Sequence, residues 1–260
     1  MIQKASEANR IVIKVGTSTL AHKTGLMNIQ RVEKLVKVLS DLKNSGREII
    51  LVSSGAIGVG VGKMGLKQRP TDTPSKQACA AIGQCELMYC YDKYFSEYNH
   101  AVAQVLMTRD IVDSFERKEN VMNTFHTLLE MGVVPVVNEN DTVAVEEIVF
   151  GDNDTLSAIV GSLTKTDLLI ILTDIDGVFD QNPRENPEAK LIRHIPAITD
   201  EVRALAGGNG TGLGTGGMVT KISAAQIGLD AGFPTVIMNG SRPEALYELM
   251  EDQPIGTWIG

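Results

Sequence analysis

The chain has 260 residues, of which 43% are hydrophobic, 22% charged and 5% aromatic, with 25 Gly and 9 Pro. This is ordinary globular composition; it excludes a disordered or collagen-like chain and leaves one large α/β domain or two small ones. The formal net charge of −8, from 24 basic and 32 acidic residues, argues against a nucleic-acid or anionic-membrane partner, both of which need a basic face.

The first seven residues lack an apolar core and do not read as a signal peptide. IVIKV (11–15) reads as a buried strand. Asn28 is then placed to cap a helix in which Ile29, Val32, Leu35, Val36, Leu39 and Leu42 recur at helical spacing, and Gly46 ends it. EIILVS (48–53) is a second buried strand, followed by a glycine-rich turn into GAIGVGVGKMG. A long helix is predicted over 75–98, a strand over AVAQVLM (101–107), and a helix over VMNTFHTLLEMG closing at Gly132. VVPVV (133–137) reads as a strand despite its proline, and 142–150 as an excursion, a hairpin in form.

A helix is predicted from GDND (151–154), with Asp152 a good N-cap. DLLIILT (167–173) is the most hydrophobic strand; its apolar run falls far short of the roughly 20 residues that span a bilayer. The chain therefore reads as soluble and cytoplasmic, without a membrane partner. A helix and loop over EVRALAGGNG lead to a glycine-rich segment, a helix over 218–230, the strand PTVIM (234–238) and a helix over 243–250. Near-continuous apolar strands separated by amphipathic helices predict a mostly parallel sheet covered on both faces, an α/β fold without repeats or linkers.

Cys79, Cys85 and Cys90 lie in one helical stretch without CxxC spacing. Cys79 and Cys90 fall three turns apart, too far for a disulfide, and the three read as buried thiols. The four histidines are scattered, with no metal-binding spacing.

In such sheets ligands sit at the carboxyl ends of the strands. A lysine inside the apolar strand of Lys14-Val15-Gly16-Thr17-Ser18 is costly unless its ammonium meets an anion or leaves the core. GLGTGGMVTK (212–221) runs several glycines into a helix, where free N–H groups and Lys221 suit a bound phosphate; the bland alternative is a surface loop. It is neither a dinucleotide fingerprint, since no strand precedes it, nor a Walker loop. NEND (138–141) and GDND combine amides with carboxylates, a mixture suited to a zwitterionic ligand, and Ser53-Ser54-Gly55 adds donors. No side-chain cluster reads as a metal site. Nor is there a plausible catalytic base, which suits phosphorylation of a carboxylate, a nucleophile already ionised at neutral pH.

KVGTS, VSSGAIGVG, NENDTVA, GDNDTLSA, LTDIDGVF, NPR and GLGTGGMVTK, in this order, resemble the glutamate 5-kinase family of the amino-acid kinase superfamily across essentially the whole chain. The resemblance implies a three-layer αβα sandwich in a single domain, 1–260. Its amino-acid-binding half would run over about 1–166 and its nucleotide-binding half over 167–260. It implies ATP-dependent phosphorylation of the L-glutamate γ-carboxylate, the first step of proline biosynthesis, with Mg²⁺ carried by ATP and proline as a feedback inhibitor. Lys14, Lys221 and Asp154 would be catalytic, the aspartate holding the lysines. Ser54, Asn138, Asp141 and Asn153 would bind glutamate. Lys14, Thr173, Asp174, Thr215, Gly216, Gly217, Met218, Val219, Thr220 and Lys221 would bind ATP.

A homo-oligomer and contact with the next enzyme of proline synthesis are further implications. The length leaves no room for the C-terminal PUA domain of many members, in keeping with no nucleic-acid partner. Competing readings keep the fold but change the substrate (acetylglutamate, aspartate, carbamate, uridylate or isopentenyl phosphate) or remove the catalysis and leave an amino-acid sensor. A phosphorylated substrate would need extra basic residues, and none adjoins NEND or GDND in sequence.

Overall fold

The computed structural model describes residues 1–22, 24–108, 110–143, 153–207 and 217–260, the side chains of Asp110 and Val112 excepted. In chain order its elements are β1 (Arg10–Val15), α1 (Thr17–Leu20), α2 (Ile29–Asn44), β2 (Glu48–Ser53), α3 (Ala56–Lys63), α4 (Thr73–Ser96), β3 (Val102–Met107), α5 (Asp110–Asp113), α6 (Phe115–Glu130), β4 (Val134–Glu139), α7 (Asn153–Thr164), β5 (Leu168–Thr173), β6 (His194–Ile195), α8 (Asp200–Ala206), α9 (Met218–Ala231), β7 (Thr235–Asn239), α10 (Ala245–Met250) and β8 (Thr257–Ile259).

The strands form one sheet in the order β3-β4-β2-β1-β5-β7-β8-β6. Every neighbouring pair is parallel except β7 with β8. β1 and β5 are buried because neighbours and helices cover them on every side, which explains their unbroken apolar sequences. Side chains alternate between two cores. Ile11, Ile13 and Val15 pack with Leu35, Leu39 and Phe95 on the α2 and α4 face; Val12, Leu169 and Ile171 pack with Leu156, Ile222 and Ala225 on the α7 and α9 face. The result is the expected αβα layering. Strands from before residue 167 occupy one side of the sheet and later strands the other, meeting at the β1–β5 seam.

Asn28 caps α2 as predicted, its Oδ1 accepting from the Arg31 N–H at 3.2 Å. Pro135 fits inside β4 because the β2 ladder begins only at Leu51↔Val136, beyond the proline nitrogen. Three departures from the sequence reading stand out. The stretch after β2 is not a glycine-rich turn but the helix α3, its glycines set against α4 and the Gly25 turn: a Cβ on Gly60 would overlap the Cys79 carbonyl, and one on Gly62 the backbone of Gly25. The short strands β6 and β8 were unpredicted. Of the three free cysteines only Cys79 is buried, and Cys85 is exposed. The expected hairpin over 142–150 and the cap at Asp152 fall almost entirely outside the described residues. No helix among the described residues is long and apolar enough to cross a membrane.

Candidate active site

Strand alternation decides where Lys14 points. Two positions from Val12, it shares the α7 and α9 face, and β1 has a strand on either side, so its ammonium cannot leave by a sheet edge. It meets an anion instead: Nζ lies 2.7 Å from Oδ1 of Asp154, in the first turn of α7. From α9, Lys221 brings its Nζ to 3.0 Å from Oδ2 of the same carboxylate. The Thr220 hydroxyl lies 2.8 Å from that Oδ2 and 2.8 Å from the Gly217 carbonyl, so its single proton serves one acceptor at a time.

Asp154 is fully buried, while Lys14 and Lys221 keep 7% and 5% of their surface exposed, where they line the cleft. Burial alone would favour the neutral acid at Asp154. The two ammonium groups outweigh it and hold the carboxyl below the usual carboxylate range. Two ammonium groups thus share one carboxylate at the cleft wall.

Beside this cluster runs a chain of amides. Asn153 Nδ2 lies 2.9 Å from each of three acceptors, the Ser53 carbonyl, the Ser54 hydroxyl and Asn138 Oδ1. Asn138 Oδ1 also accepts from the Glu139 N–H at 2.9 Å, and its Nδ2 donates to Gln84 Oε1 at 2.8 Å. Ser53 is anchored from behind, its Oγ 2.9 Å from the hydroxyl of the fully buried Tyr91. Asp141 lines the same wall; burial raises its carboxyl above the usual range, and the nearby Arg69 offsets this in part.

On the far side of Lys14, Thr173 and Asp174 end β5. The Asp174 carboxylate accepts from Arg184 Nη2 at 2.8 Å and, through its other oxygen, lies 3.3 Å from the Thr173 hydroxyl. Leu205, Met218 and Phe179 give this end an apolar wall. The whole cleft encloses about 1880 Å³. Single small-molecule sites occupy roughly 300–1,000 Å³, so there is room for two substrates side by side.

Of the residues singled out in the sequence, Lys14, Ser54, Asn138, Asp141, Asn153, Thr173, Asp174, Gly217, Met218 and Lys221 line this one cleft. Asp154 and Thr220 act on it from beneath. Val219 is 51% exposed and is not among the lining residues. Thr215, Gly216 and the glycines before them lie outside the described residues. Sequence reasoning missed Gln84, and it quoted Arg184 only within NPR, without a role. It also found no additional basic residues for the cleft; Lys67, Arg69 and Lys76, from α4 and the segment before it, line it all the same. They are remote in sequence from NEND and GDND, and only the fold brings them there. Among the described residues no group of three or more His, Cys, Asp or Glu could hold a metal ion.

An open parallel sheet with lysines from its central strand and from a facing helix, clamped on one carboxylate, defines a phosphotransferase of the amino acid kinase class; the amino acid kinase family model matches residues 9–239. The solved structure of an isopentenyl phosphate kinase superposes with a TM-score of 0.68 over 96% of this chain and all of that one, at 18% identity, a likeness of fold. The glutamate 5-kinase of Clostridium perfringens (strain 13 / Type A) is 51% identical over 99% of this chain and 97% of its own length. That of Clostridium acetobutylicum is 53% identical over 97% and 94%. The chain belongs to the amino acid kinase family, in its glutamate 5-kinase branch.

Proposed function

We propose that this chain transfers the γ-phosphoryl group of ATP to the γ-carboxylate of L-glutamate, making L-glutamyl 5-phosphate, the first step of proline biosynthesis. The observation that carries the chemistry is the Lys14–Asp154–Lys221 cluster between an amide-lined wall and an apolar one. Glutamate lies on the amide side, its ammonium near Asp141 and its γ-carboxylate toward Lys14. ATP lies along Thr173, Asp174 and the start of α9. A γ-carboxylate oxygen forms the new P–O bond as the β–γ bridging P–O bond breaks, with that electron pair leaving on ADP. No base is needed, and the barrier is repulsion between anions, which Lys14 and Lys221 lower at the transferring group.

Asp154 holds both lysines in place, one ammonium against each of its oxygens. Mg²⁺ would arrive on the ATP phosphates and would neutralise part of their charge there. Feedback inhibition by proline, homo-oligomer formation, a cytoplasmic location and contact with the next enzyme of the pathway belong to the same reading. A second reading rests on Lys67, Arg69 and Lys76, whose charges would suit a phosphate-bearing acceptor.

Incubation with ATP, Mg²⁺ and hydroxylamine separates the two. Glutamate is expected to give a trapped hydroxamate, reduced by proline, whereas uridylate and isopentenyl phosphate give ADP and no hydroxamate. Lys14→Ala and Lys221→Ala are each expected to lower hydroxamate formation at least about 100-fold, in line with removing a group that stabilises transition-state charge. Unchanged rates in both variants would refute the assignment.

A further inference from the structure

The amide chain has a direction, and two backbone groups set it. The Glu139 N–H can only donate, so the atom of Asn138 facing it is the carbonyl Oδ1. The Ser53 carbonyl can only accept, so the atom of Asn153 facing it is Nδ2. These two choices agree with each other, since Asn153 Nδ2 also meets Asn138 Oδ1. Asn138 Nδ2 is then turned away from the cleft. Asn138 is only 2% exposed, so this donor would be a buried orphan without the Gln84 carbonyl oxygen at 2.8 Å.

The outcome appears at the other end of the chain. With the two protons of Asn153 Nδ2 shared among three acceptors, the remaining polar side-chain atom of this cleft-lining residue is its carbonyl oxygen, which no donor among the described residues reaches. A carbonyl on a cleft wall that also carries the Asp141 carboxylate accepts hydrogen bonds and offers none. It recognises an ammonium and has no use for a methylene at that place.

We infer that Gln84 is a positioning residue that acts through Asn138 and Asn153 to keep an acceptor facing the substrate, and so selects acceptors carrying a free amino group. This rests on the glutamate reading above and deepens it. Gln84 touches no substrate. It comes from the middle of α4, two turns before Tyr91, whose hydroxyl steadies Ser53 in the same network. α4 thereby holds both ends of the chain, and the tight seat of Gly83 against the Ala56 carbonyl fixes the helix at that level.

The test compares L-glutamate with glutarate, which has both carboxylates but no amine, in the hydroxamate assay. Gln84→Met keeps the shape and removes the acceptor; Gln84→Glu keeps an acceptor. Gln84→Met is expected to raise the glutamate KM about tenfold, to leave the ATP KM within twofold, and to lower the glutamate-over-glutarate ratio of kcat/KM by a similar tenfold. Gln84→Glu is expected to retain the wild-type ratio. A merely structural role would weaken both acceptors alike. An unchanged ratio in a folded Gln84→Met protein overturns the inference while leaving the glutamate reading intact; a wild-type enzyme that makes no glutamyl hydroxamate overturns both. Should Gln84→Met not fold, Gln84→Leu serves as a second acceptor-free variant under the same criteria.

Discussion

Asp154 is the residue on which the site turns, because one carboxylate sets the position of two ammonium groups from different elements. Replacing it by Asn leaves those charges buried against a neutral amide, which costs on the order of 3 kcal/mol. The pH dependence follows from the direction of its shift. The carboxyl titrates lower in the folded chain than in the unfolded one, so its contribution is complete above the ordinary Asp value of about 3.9 and lost as pH falls through the lower folded value. Urea unfolding should therefore show a wild-type advantage over Asp154→Asn at pH 7 that shrinks below about pH 4; a gap independent of pH would contradict this account. At this scale the sequence was partly readable. A lysine in the middle of IVIKV announces an anion, but its nearest anion proves to be the protein's own carboxylate, 140 positions away by residue number. Gln84 gave no sign at all: a glutamine in a long helix has no chemistry until the fold sets it against Asn138, 54 residues on.

At the scale of elements, α4 braces the amide wall through Gln84 and Tyr91, and its seat against α3 depends on the absence of side chains. A Cβ on Gly83 would overlap the Ala56 carbonyl oxygen, a backbone atom that cannot swing aside. Gly83→Ala should thus cost about 3 kcal/mol, the upper end for overpacking, and lower Tm by roughly 6–12 °C. Gly217→Ala, where a Cβ meets nothing within 4 Å among the described residues, should leave Tm nearly unchanged; thermal melts of the two variants side by side check both. The same contacts explain a misreading. Glycines at 58, 60 and 62 lower helix propensity enough to suggest a turn. Packing against α4 overrides that preference, and glycine is what allows the approach. The long apolar strands and the capped α2 were legible because burial on both faces and capping chemistry leave local marks. β6 and β8, at two and three residues, are too short to show any alternation and exist only by pairing.

Over the whole molecule, the strands before and after residue 167 share one sheet, with β1 and β5 hydrogen-bonded along the seam from Ile11↔Leu168 to Val15↔Leu172. Both hydrophobic cores draw on residues from before and after residue 167, so the chain should unfold in a single transition. Calorimetric and van't Hoff enthalpies are expected to coincide. ATP at about 100 times its Kd should raise the one transition as a whole, by about 2.7 kcal/mol; two separable transitions would contradict the continuity of the sheet. The position of β1 has a consequence during biosynthesis. It leaves the ribosome before the other described strands of this sheet, yet the partner for its second edge, β5, begins only at Leu168. At about 5–20 residues per second, β1 and β2 wait on the order of ten seconds with an apolar edge uncovered. A central, covered strand of the finished enzyme is thus a vulnerable one in the nascent chain, and arrest of translation before Leu168 would leave a template for aggregation.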